Sequence, residues 1–462
     1  MTADSPLHSP LRTELAATVR LAVPLAAANL LQMAVYAIDV IFVARLGQAQ
    51  LAASSLGVSL FALLTWGMSG LTGAVAPLIA SELGRKPNAV REVRRSLRMA
   101  LWLAVICGLF GMTVCAFGTQ IMLATGQDPE IAGLAGGFIS VLSFSIIPMV
   151  ISNVLRIFVS TMGRAGFATA ITALAIVVNA LGNWVFVFGN LGAPRLGLNG
   201  SALSSIITSV VMAAAYVVAI QSDRRMRRYR VFGRFWRPEW SRLREIVKIG
   251  TPIAVTVIAE AGLFSSAAFL MGRIGAAELA AHTIALQIAS FAFQVPFGIS
   301  QAATIRVGYH FGASNPDGIA RAGWVAIAVG AGFMAMSALV MLAAPRAIVS
   351  AYVDVEAPQN ALMVAFAIQY LGIAAAFQLF DGIQTVTAGA LRGLQDTRTP
   401  MFIALAGYWL AGFSTASVLG LATPLEGVGV WIGLAVGLVF AAAFLLLRWR
   451  RRDAKGLVPA RI

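Results

Sequence analysis

The chain has 462 residues, of which 59% are hydrophobic and 11% are charged, and its mean hydropathy is +0.83. This composition excludes a soluble protein that hides its apolar side chains in one core, so the surrounding solvent must be a lipid bilayer. The net charge of +15 does not indicate nucleic acid as a partner, because the basic residues are grouped in particular loops instead of covering an exposed face.

Twelve apolar segments follow one another along the chain, each long enough to cross about 30 Å of hydrocarbon as a helix. They lie near 17–43, 51–80, 96–119, 131–158, 166–190, 198–220, 246–272, 278–305, 320–345, 360–388, 400–421 and 425–447. Each segment is continuously apolar and far longer than a barrel strand of about ten residues. We therefore predict an all-α, polytopic membrane protein of 12 transmembrane helices.

The basic residues define the orientation of these helices. Three groups of Lys and Arg, within 85–98, 224–248 and 448–461, fall on one side of a twelve-helix count, and the opposite loops carry isolated cations. The positive-inside rule then places both termini and the long central loop in the cytoplasm. The first residues lack a signal-peptide pattern, so we expect the first helix to be retained. We predict a multi-pass protein of a bacterial inner membrane.

The sequence also contains an internal duplication. A shift of 228 residues places residues 45–53 over 273–281 with six identities in nine positions, and it pairs Pro24 with Pro252. Each copy then has six helices, and an even number of spans relates the copies by a pseudo-twofold axis along the membrane normal. The predicted organisation is an N-terminal lobe (1–221), a basic cytoplasmic linker (222–245), a C-terminal lobe (246–447) and a basic cytoplasmic tail (448–462).

Polar side chains mark one face of the first predicted helix. Spacings of three, four and three residues place on it Asn29, Gln32, Tyr36 and Asp39. In the fifth helix, Asn179 and Asn183 are one turn apart, and a carboxylate with two amide oxygens suits a hard cation or a proton. The two asparagines taken alone fit a bridge between helices equally well. Asp39 instead indicates function, because a carboxylate inside a membrane is costly.

The second lobe carries acidic residues of its own. Glu260 lies in the middle of the seventh helix, and Asp381 lies in the tenth helix with Gln378 and Gln384 on the same face. A polar stripe on the eighth helix includes Gln287. Under the shift of 228, Glu260 aligns with Gln32, so the acids are not remnants of the duplicated scaffold. Neither central segment contains a cation to pair with them, and we interpret both acids as functional.

Direct use of ATP and enzymatic catalysis have no visible basis in the sequence. It contains no phosphate-binding loop of the Gly-x-x-x-x-Gly-Lys-Ser/Thr type and no His-Glu-x-x-His motif. We therefore expect a protein that is not an enzyme and needs no cofactor apart from a coupling ion.

Several motifs resemble the multidrug and toxic compound extrusion (MATE) family, in its NorM-like branch. They lie within residues 39–47, 260–287, 304–308 and 381–397, and the resemblance extends over the whole chain. It implies an antiporter that admits Na⁺ or H⁺ while drugs or toxic metabolites leave through a cleft between the lobes. By position, Asp39, Asn179 and Asn183 match the family's cation site in the first lobe, and Glu260 with Asp381 matches the acidic pair in the second. Because residue 183 is Asn where another prokaryotic branch has Asp, the choice between Na⁺ and H⁺ stays open.

We expect the ion and a cationic cargo to compete for these carboxylates, in a protein that is functional as a monomer within membrane lipid. Pro24 would act as a hinge in the first helix, with a proline at the start of a helix as the alternative. An apolar wall for varied cargo would be formed by Met33, Phe264, Phe291, Phe293 and Phe377, although the same side chains could face lipid.

Two other functions share parts of this pattern. A flippase for lipid-linked precursors would have the same two-lobed plan, but it would be expected to line its cleft with several Arg residues. The intramembrane cation in this sequence is Arg156, which we expect near a cytoplasmic end. A passive channel has no need for different acids in its two halves, and it ranks lower.

Overall fold

A computed structural model describes residues 10–86, 88–233 and 235–459. Within those residues the regular structure is helical, without strands, and twelve helices are long and apolar enough to cross a membrane. They are α1 (Pro10–Ala44), α2 (Gln48–Arg85), α3 (Val90–Ala116), α4 (Pro129–Thr161), α5 (Gly166–Phe188), α6 (Leu198–Ser222), α7 (Trp240–Ile274), α8 (Ala276–Gly312), α9 (Pro316–Ala343), α10 (Pro358–Gly393), α11 (Arg398–Leu421) and α12 (Glu426–Arg450). The predicted all-α class with twelve spans is confirmed. The outer ends of the predicted first lobe and basic tail, 1–9 and 460–462, lie outside the described residues.

Most helices extend beyond the apolar segments that predicted them. The α7 helix begins at Trp240, inside the predicted linker, and α10 continues to Gly393. Hydropathy marks the part of a helix that is apolar, whereas Arg and Glu are good helix formers and prolong the helix into a polar region. Arg242, Arg306 and Arg392 therefore lie within helices, although all three fall outside the predicted apolar segments.

Two compact units divide the described chain. The N-terminal unit contains Ala27–Ala254, and the C-terminal unit contains the residues up to Ala26 together with those from Val255 onward. The divisions fall just after Pro24 in α1 and just after Pro252 in α7. Each of these two helices thus contributes its first part to one unit and its second part to the other.

Helix lengths repeat between the two halves of the chain. The α1 and α7 helices both contain 35 residues, and α6 and α12 both contain 25. The first residues of α2 and α8, Gln48 and Ala276, are separated by the same shift of 228 positions that aligns the two sequences. These lengths support the predicted duplication of six helices.

The first part of α1 is fixed within the C-terminal unit by a buried ion pair. Arg306 of α8 donates from Nε and Nη2 to the two carboxylate oxygens of Glu14, both at 2.7 Å. His310 Nε2 lies 3.2 Å from Glu14 Oε2. Glu14 is 5% exposed, and a bidentate pair of this kind is among the stronger polar contacts in proteins.

The first part of α7 is fixed within the N-terminal unit by a corresponding pair. Arg242 donates from Nη2 to Glu82 Oε1 at 2.8 Å and from Nε to Ser96 Oγ at 2.8 Å. The shift of 228 aligns Arg242 with Glu14 and Glu82 with His310. The duplicated scaffold therefore keeps an interaction at the same two positions with the acidic and basic partners exchanged.

Candidate functional site

Three helices of the N-terminal unit bring the predicted acid and amides together. Asn179 and Asn183 of α5 donate from Nδ2 to Asp39 Oδ1 of α1, at 3.0 and 2.7 Å. Ser205 Oγ of α6 donates to Asp39 Oδ2 at 3.2 Å. Both asparagines are fully buried. Neutral donors thus satisfy both oxygens of the carboxylate, and no basic side chain of the described residues forms an ion pair with it. Its negative charge is left for a cation to balance.

The Asn183 side chain has more acceptors around its nitrogen than it can use. Besides Asp39, its Nδ2 lies 3.0 Å from the Asn179 carbonyl oxygen and 3.3 Å from both Asn179 Oδ1 and Ser204 Oγ. An amide nitrogen carries two hydrogens, so it cannot donate to all four. Its Oδ1 is buried and lacks a hydrogen-bond partner. If the amide turned by 180°, Oδ1 would join a cluster of oxygens of the kind that hard cations prefer.

Asn29, on the same polar face of α1, contacts a cation. Arg156 Nη1 of α4 donates to Asn29 Oδ1 at 3.3 Å, and Asn29 lies near the middle of α1. Arg156 lies in the last part of α4, which ends at Thr161, and its long side chain carries the guanidinium to the middle of α1. Tyr36 is exposed, and Gln32 is half-buried.

The acids of the C-terminal unit meet around one amide. Gln384 of α10 donates from Nε2 to Glu260 Oε1 of α7 at 3.4 Å, and its Oε1 accepts from the Tyr408 hydroxyl at 2.8 Å. Asp381 interacts electrostatically with Gln384 and lies within range of repulsion from Glu260. Asp381 Oδ1 is buried without a hydrogen-bond partner. A bound cation or proton would relieve the repulsion between the two carboxylates.

A cation near Glu260 contradicts one expectation from the sequence. The Arg392 guanidinium attracts Glu260 electrostatically, although the two side chains do not form one of the ion pairs found among the described residues. The tenth predicted segment ended at 388, whereas α10 continues through Arg392 to Gly393. Sequence reasoning therefore counted Arg392 as a loop residue.

The other predicted polar residues of this unit differ in their surroundings. Gln378 is 1% exposed, and its Oε1 accepts from Ser337 Oγ of α9 at 3.1 Å. Its Nε2 is buried without a hydrogen-bond partner. Gln287 is exposed on α8. Gln378 and Gln384 thus lie inside the unit beside Asp381, whereas Gln287 lies on its surface.

The side chains predicted to form the apolar wall differ in exposure. Phe377 is 2% exposed and stacks on Trp431 with ring centroids 5.6 Å apart, so its assignment to an accessible wall is wrong in this structure and it acts as a core residue. Phe291 is exposed, and Phe293 stacks on Phe297. Phe264 is partly buried against the core of the C-terminal unit, and Met33 is half-buried in α1. Helical periodicity could not separate core-facing from exposed aromatics.

Pro24 lies well inside α1, which begins at Pro10. The alternative of a proline at the start of a helix is therefore excluded. Proline removes one backbone hydrogen bond of a helix and is a common cause of bending. The coincidence of Pro24 and Pro252 with the divisions between units supports a role for both as flexible points.

Sequence reasoning missed Ser204, Ser205 and Tyr408. The serines belong to a series of polar residues at helical spacing on α6, and this spacing could have identified them from the sequence. Tyr408 lies in a π-helical segment, Ala406–Phe413, within α11, and such segments are frequent at functional sites. In the later part of each half the two copies align with a shift of 230 residues, which pairs Gly163 with Gly393 and places Asn179 opposite Trp409. Tyr408 is thus adjacent to the duplicated counterpart of a site residue.

Comparisons with known proteins give a consistent result. The family model described as MatE matches residues 24–185 and 252–418. The chain is 45% identical over 443 residues to a "Probable multidrug resistance protein NorM" of Mesorhizobium japonicum, covering 96% of this chain and 95% of that protein. It is 38% identical over 434 residues to the "Multidrug resistance protein NorM" of Burkholderia vietnamiensis, covering 94% and 92%.

Solved structures share the fold. The eukaryotic MATE transporter AtDTX14 superposes with a TM-score of 0.85 at 19% identity, covering 97% of this chain and 99% of that one. A MOP superfamily transporter from Pyrococcus furiosus gives a TM-score of 0.85 at 21% identity, covering 96% of both chains.

Proposed function

The chain belongs to the MATE family, and from this premise we propose that it is a secondary active antiporter that exports cationic or amphipathic organic compounds in exchange for Na⁺ or H⁺. Relatives that are named multidrug resistance proteins over nearly the whole chain support multidrug efflux. The observation that carries the antiport mechanism is the Asp39 carboxylate, which accepts hydrogen bonds from neutral donors and forms no ion pair with a basic side chain of the described residues.

Competition for carboxylates is the proposed mechanism. An ionised carboxylate in a medium of low polarity is costly unless a positive charge lies beside it. An inorganic cation, a proton and a cationic cargo can each supply that charge, and they exclude one another at one position. Binding of the ion in one orientation of the protein would release the cargo, and binding of the cargo in the other would release the ion.

The two units offer different chemistry to the coupling ion. Asp39, Asn179 and Asn183 provide one carboxylate and several neutral oxygens, which suits Na⁺. Glu260 and Asp381 provide two neighbouring acids that Gln384 connects, and this pair suits a proton or a cation that both acids share. We propose that both sites are used, and that the lobes predicted at 1–221 and 246–447 alternate in access.

The distribution of basic residues supports a location and an orientation for the protein in the membrane. The basic linker and tail support cytoplasmic termini in a bacterial inner membrane, with small-molecule drugs or toxic metabolites as cargo. Each unit holds its own acids on its own helices, so we propose a functional monomer that needs no cofactor beyond the coupling ion.

The flippase for lipid-linked precursors remains the second candidate, since the structure places Arg156 and Arg392 closer to central polar groups than the sequence indicated. A phosphate-bearing lipid would call for several such cations at one place. These two arginines belong to different units, and each lies on a helix that also faces an acid or an amide. We therefore favour efflux of organic cations.

Purified protein in liposomes tests the proposed function. Ethidium transport would be followed while a Na⁺ gradient and a pH gradient are imposed separately, with protein-free liposomes as the control. We expect at least one gradient to drive ethidium against its concentration gradient. Ethidium that merely equilibrates under both gradients would exclude antiport.

Replacing Pro24 by alanine tests the hinge. Alanine restores the missing hydrogen bond of α1, and the helix interior gains up to about 3 kcal/mol, so we expect a higher melting temperature together with dye export that is severalfold slower. Pro316→Ala is the matched control, because Pro316 occupies the first turn of α9, where proline is well tolerated. Export at the normal rate in the Pro24→Ala variant would remove the hinge from the mechanism.

Replacing Tyr408 by phenylalanine tests the missed residue of the C-terminal unit. The change removes the donor to Gln384 Oε1 and leaves the ring. Loss of one such hydrogen bond costs about 1 kcal/mol, which corresponds to about fivefold in affinity. We expect the Tyr408→Phe variant to need a higher Na⁺ or H⁺ concentration for half-maximal export. Tyr352→Phe, which alters an exposed tyrosine in a loop, is the control. An unchanged concentration would show that Gln384 is positioned by other contacts.

A further inference from the structure

We propose that the adjoining ends of α11 and α12 bind one anionic phospholipid of the surrounding membrane, whose phosphate is held by Arg448, Arg451 and Lys455. A cavity of about 130 Å³ lies between these helix ends, within the C-terminal unit, and it opens to the surface of the protein. The site is independent of the proposed efflux function, because none of the residues that line the cavity belongs to either acidic site.

The α12 side of the cavity changes from apolar to basic toward the end of the helix. Phe444 and Leu447 are 46% and 40% exposed, and they precede Arg448 and Arg451. Spacings of three, one and three residues place the four side chains on one face, and seven residues of helix span about 10 Å. The apolar side chains therefore lie nearer the middle of the spanning helix, as acyl chains lie nearer the middle of a bilayer than the phosphate does.

The α11 side of the cavity changes in the same direction. Thr399 lies in the first turn of α11, and Ile403 lies four residues further into the helix. Both residues line the cavity together with the last turn of α12, so the polar ends of the two helices meet. A threonine hydroxyl can donate to a phosphate oxygen. The cavity thus has a polar end and an apolar end, and both helices contribute to each.

Positive charge exceeds negative charge at the polar end of the cavity. Asp396 accepts from Arg448 Nε at 2.5 Å and from Nη2 at 3.0 Å, so Arg448 has a counter-charge, while its Nη1 takes no part in that contact. Arg451 and Lys455 are exposed, and they form none of the ion pairs found among the described residues. Two unbalanced cations therefore border one cavity, and phosphate is a group that Arg and Lys bind strongly.

An anionic phospholipid matches this cavity better than a zwitterionic lipid or a free anion. A zwitterionic headgroup would place its own cation among basic side chains, which repel it. A free phosphate ion would leave Phe444 and Leu447 without an apolar partner. Residues 448–455 include five basic residues and one acid, and basic pockets between spanning helices are suited to anionic headgroups.

Titration with lipids tests the site. Purified protein in detergent would be titrated separately with phosphatidylglycerol, phosphatidylcholine and inorganic phosphate, and native mass spectrometry would measure the fraction of protein that retains each ligand. We expect the wild-type protein to bind phosphatidylglycerol most tightly. In the double variant Arg451→Gln/Lys455→Gln, the apparent Kd of phosphatidylglycerol should rise about thirtyfold, which corresponds to about 2 kcal/mol, because each basic residue near an anionic lipid contributes about fivefold.

Two further variants accompany the double variant. Arg195→Gln/Arg273→Gln removes the same charge from two exposed arginines outside the three basic groups, and its Kd for phosphatidylglycerol should equal that of the wild type. Leu447→Glu keeps both cations and adds a carboxylate one turn before Arg451, with which it can pair. This variant should also weaken binding of phosphatidylglycerol, and it provides the test if the double variant does not accumulate.

Each outcome of the titration supports or overturns the site. An unchanged Kd of phosphatidylglycerol in the double variant would overturn it, and so would an equal rise in the control variant, which would assign binding to net charge. Phosphatidylcholine that binds as tightly as phosphatidylglycerol would assign binding to acyl chains alone. Inorganic phosphate that binds as tightly would replace the lipid with a free anion. Because the titration involves no transport, a failure of ethidium export would overturn the proposed function and leave this site in place.

Discussion

Replacement of Asp39 by asparagine is expected to reduce gradient-driven export of ethidium more than tenfold, because removing one partner of a desolvated ionic contact costs about 2–5 kcal/mol. The variant should still fold. An asparagine oxygen can accept from Asn179 and Asn183 as Asp39 Oδ1 does, and its nitrogen can donate to Ser205 Oγ once that hydroxyl rotates. The loss would thus report the missing charge and not a missing hydrogen bond.

Two controls accompany the Asp39 variant. Asp39→Glu keeps the charge and should retain part of the export, whereas Asp354→Asn alters an exposed acid in a loop and should behave as the wild type. Export rates are compared at equal amounts of protein in the membrane. Normal export by Asp39→Asn would remove this carboxylate from the mechanism, even if the protein were confirmed as an efflux transporter.

Glu260→Gln and Asp381→Asn are each expected to lower export about tenfold or more, for the same reason of lost charge. Their effects on stability should differ. Glu260 attracts the Arg392 guanidinium, so neutralising Glu260 leaves this half-buried cation without that counter-charge and should lower the melting temperature. Asp381 is repelled by Glu260, and its neutralisation should leave the melting temperature unchanged or raise it.

The variant with both Glu260→Gln and Asp381→Asn tests whether the two acids form one site. Gln384 donates to Glu260 and interacts electrostatically with Asp381, which Glu260 repels, and the effects of interacting residues are not additive. The loss of export in the double variant should therefore be close to that of either single variant. A loss equal to the product of the two single losses would show that the acids act independently, which would contradict a shared site for one ion.

The sequence predicted the parts of the site that depend on spacing within one helix. Asn179 and Asn183 are four residues apart, so they had to face the same neighbour, and Asp39 is that neighbour. It could not predict contacts that depend on the reach of long side chains or on where helices end. The Arg156 side chain extends to the middle of α1. Arg392 belongs to a helix that continues beyond its apolar segment.

Local changes of helix type and the division into units were also beyond the sequence. The π-helical segment around Tyr408 alters the register by which side chains of α11 face α10, and no periodicity of apolar residues reports it. The predicted lobes ended between helices, whereas the observed units divide within α1 and α7, next to Pro24 and Pro252. A hydropathy profile shows one continuous span at each of these prolines.

The measurement that bears most directly on this account is an equilibrium titration of the purified protein with ethidium at increasing Na⁺ concentration and at a series of pH values. If cargo and ion compete for the same carboxylates, the apparent Kd of ethidium will rise in proportion to the concentration of the coupling ion, and Asp39→Asn will weaken or remove that dependence. An ethidium Kd that is independent of both Na⁺ and pH in the wild-type protein would contradict the account.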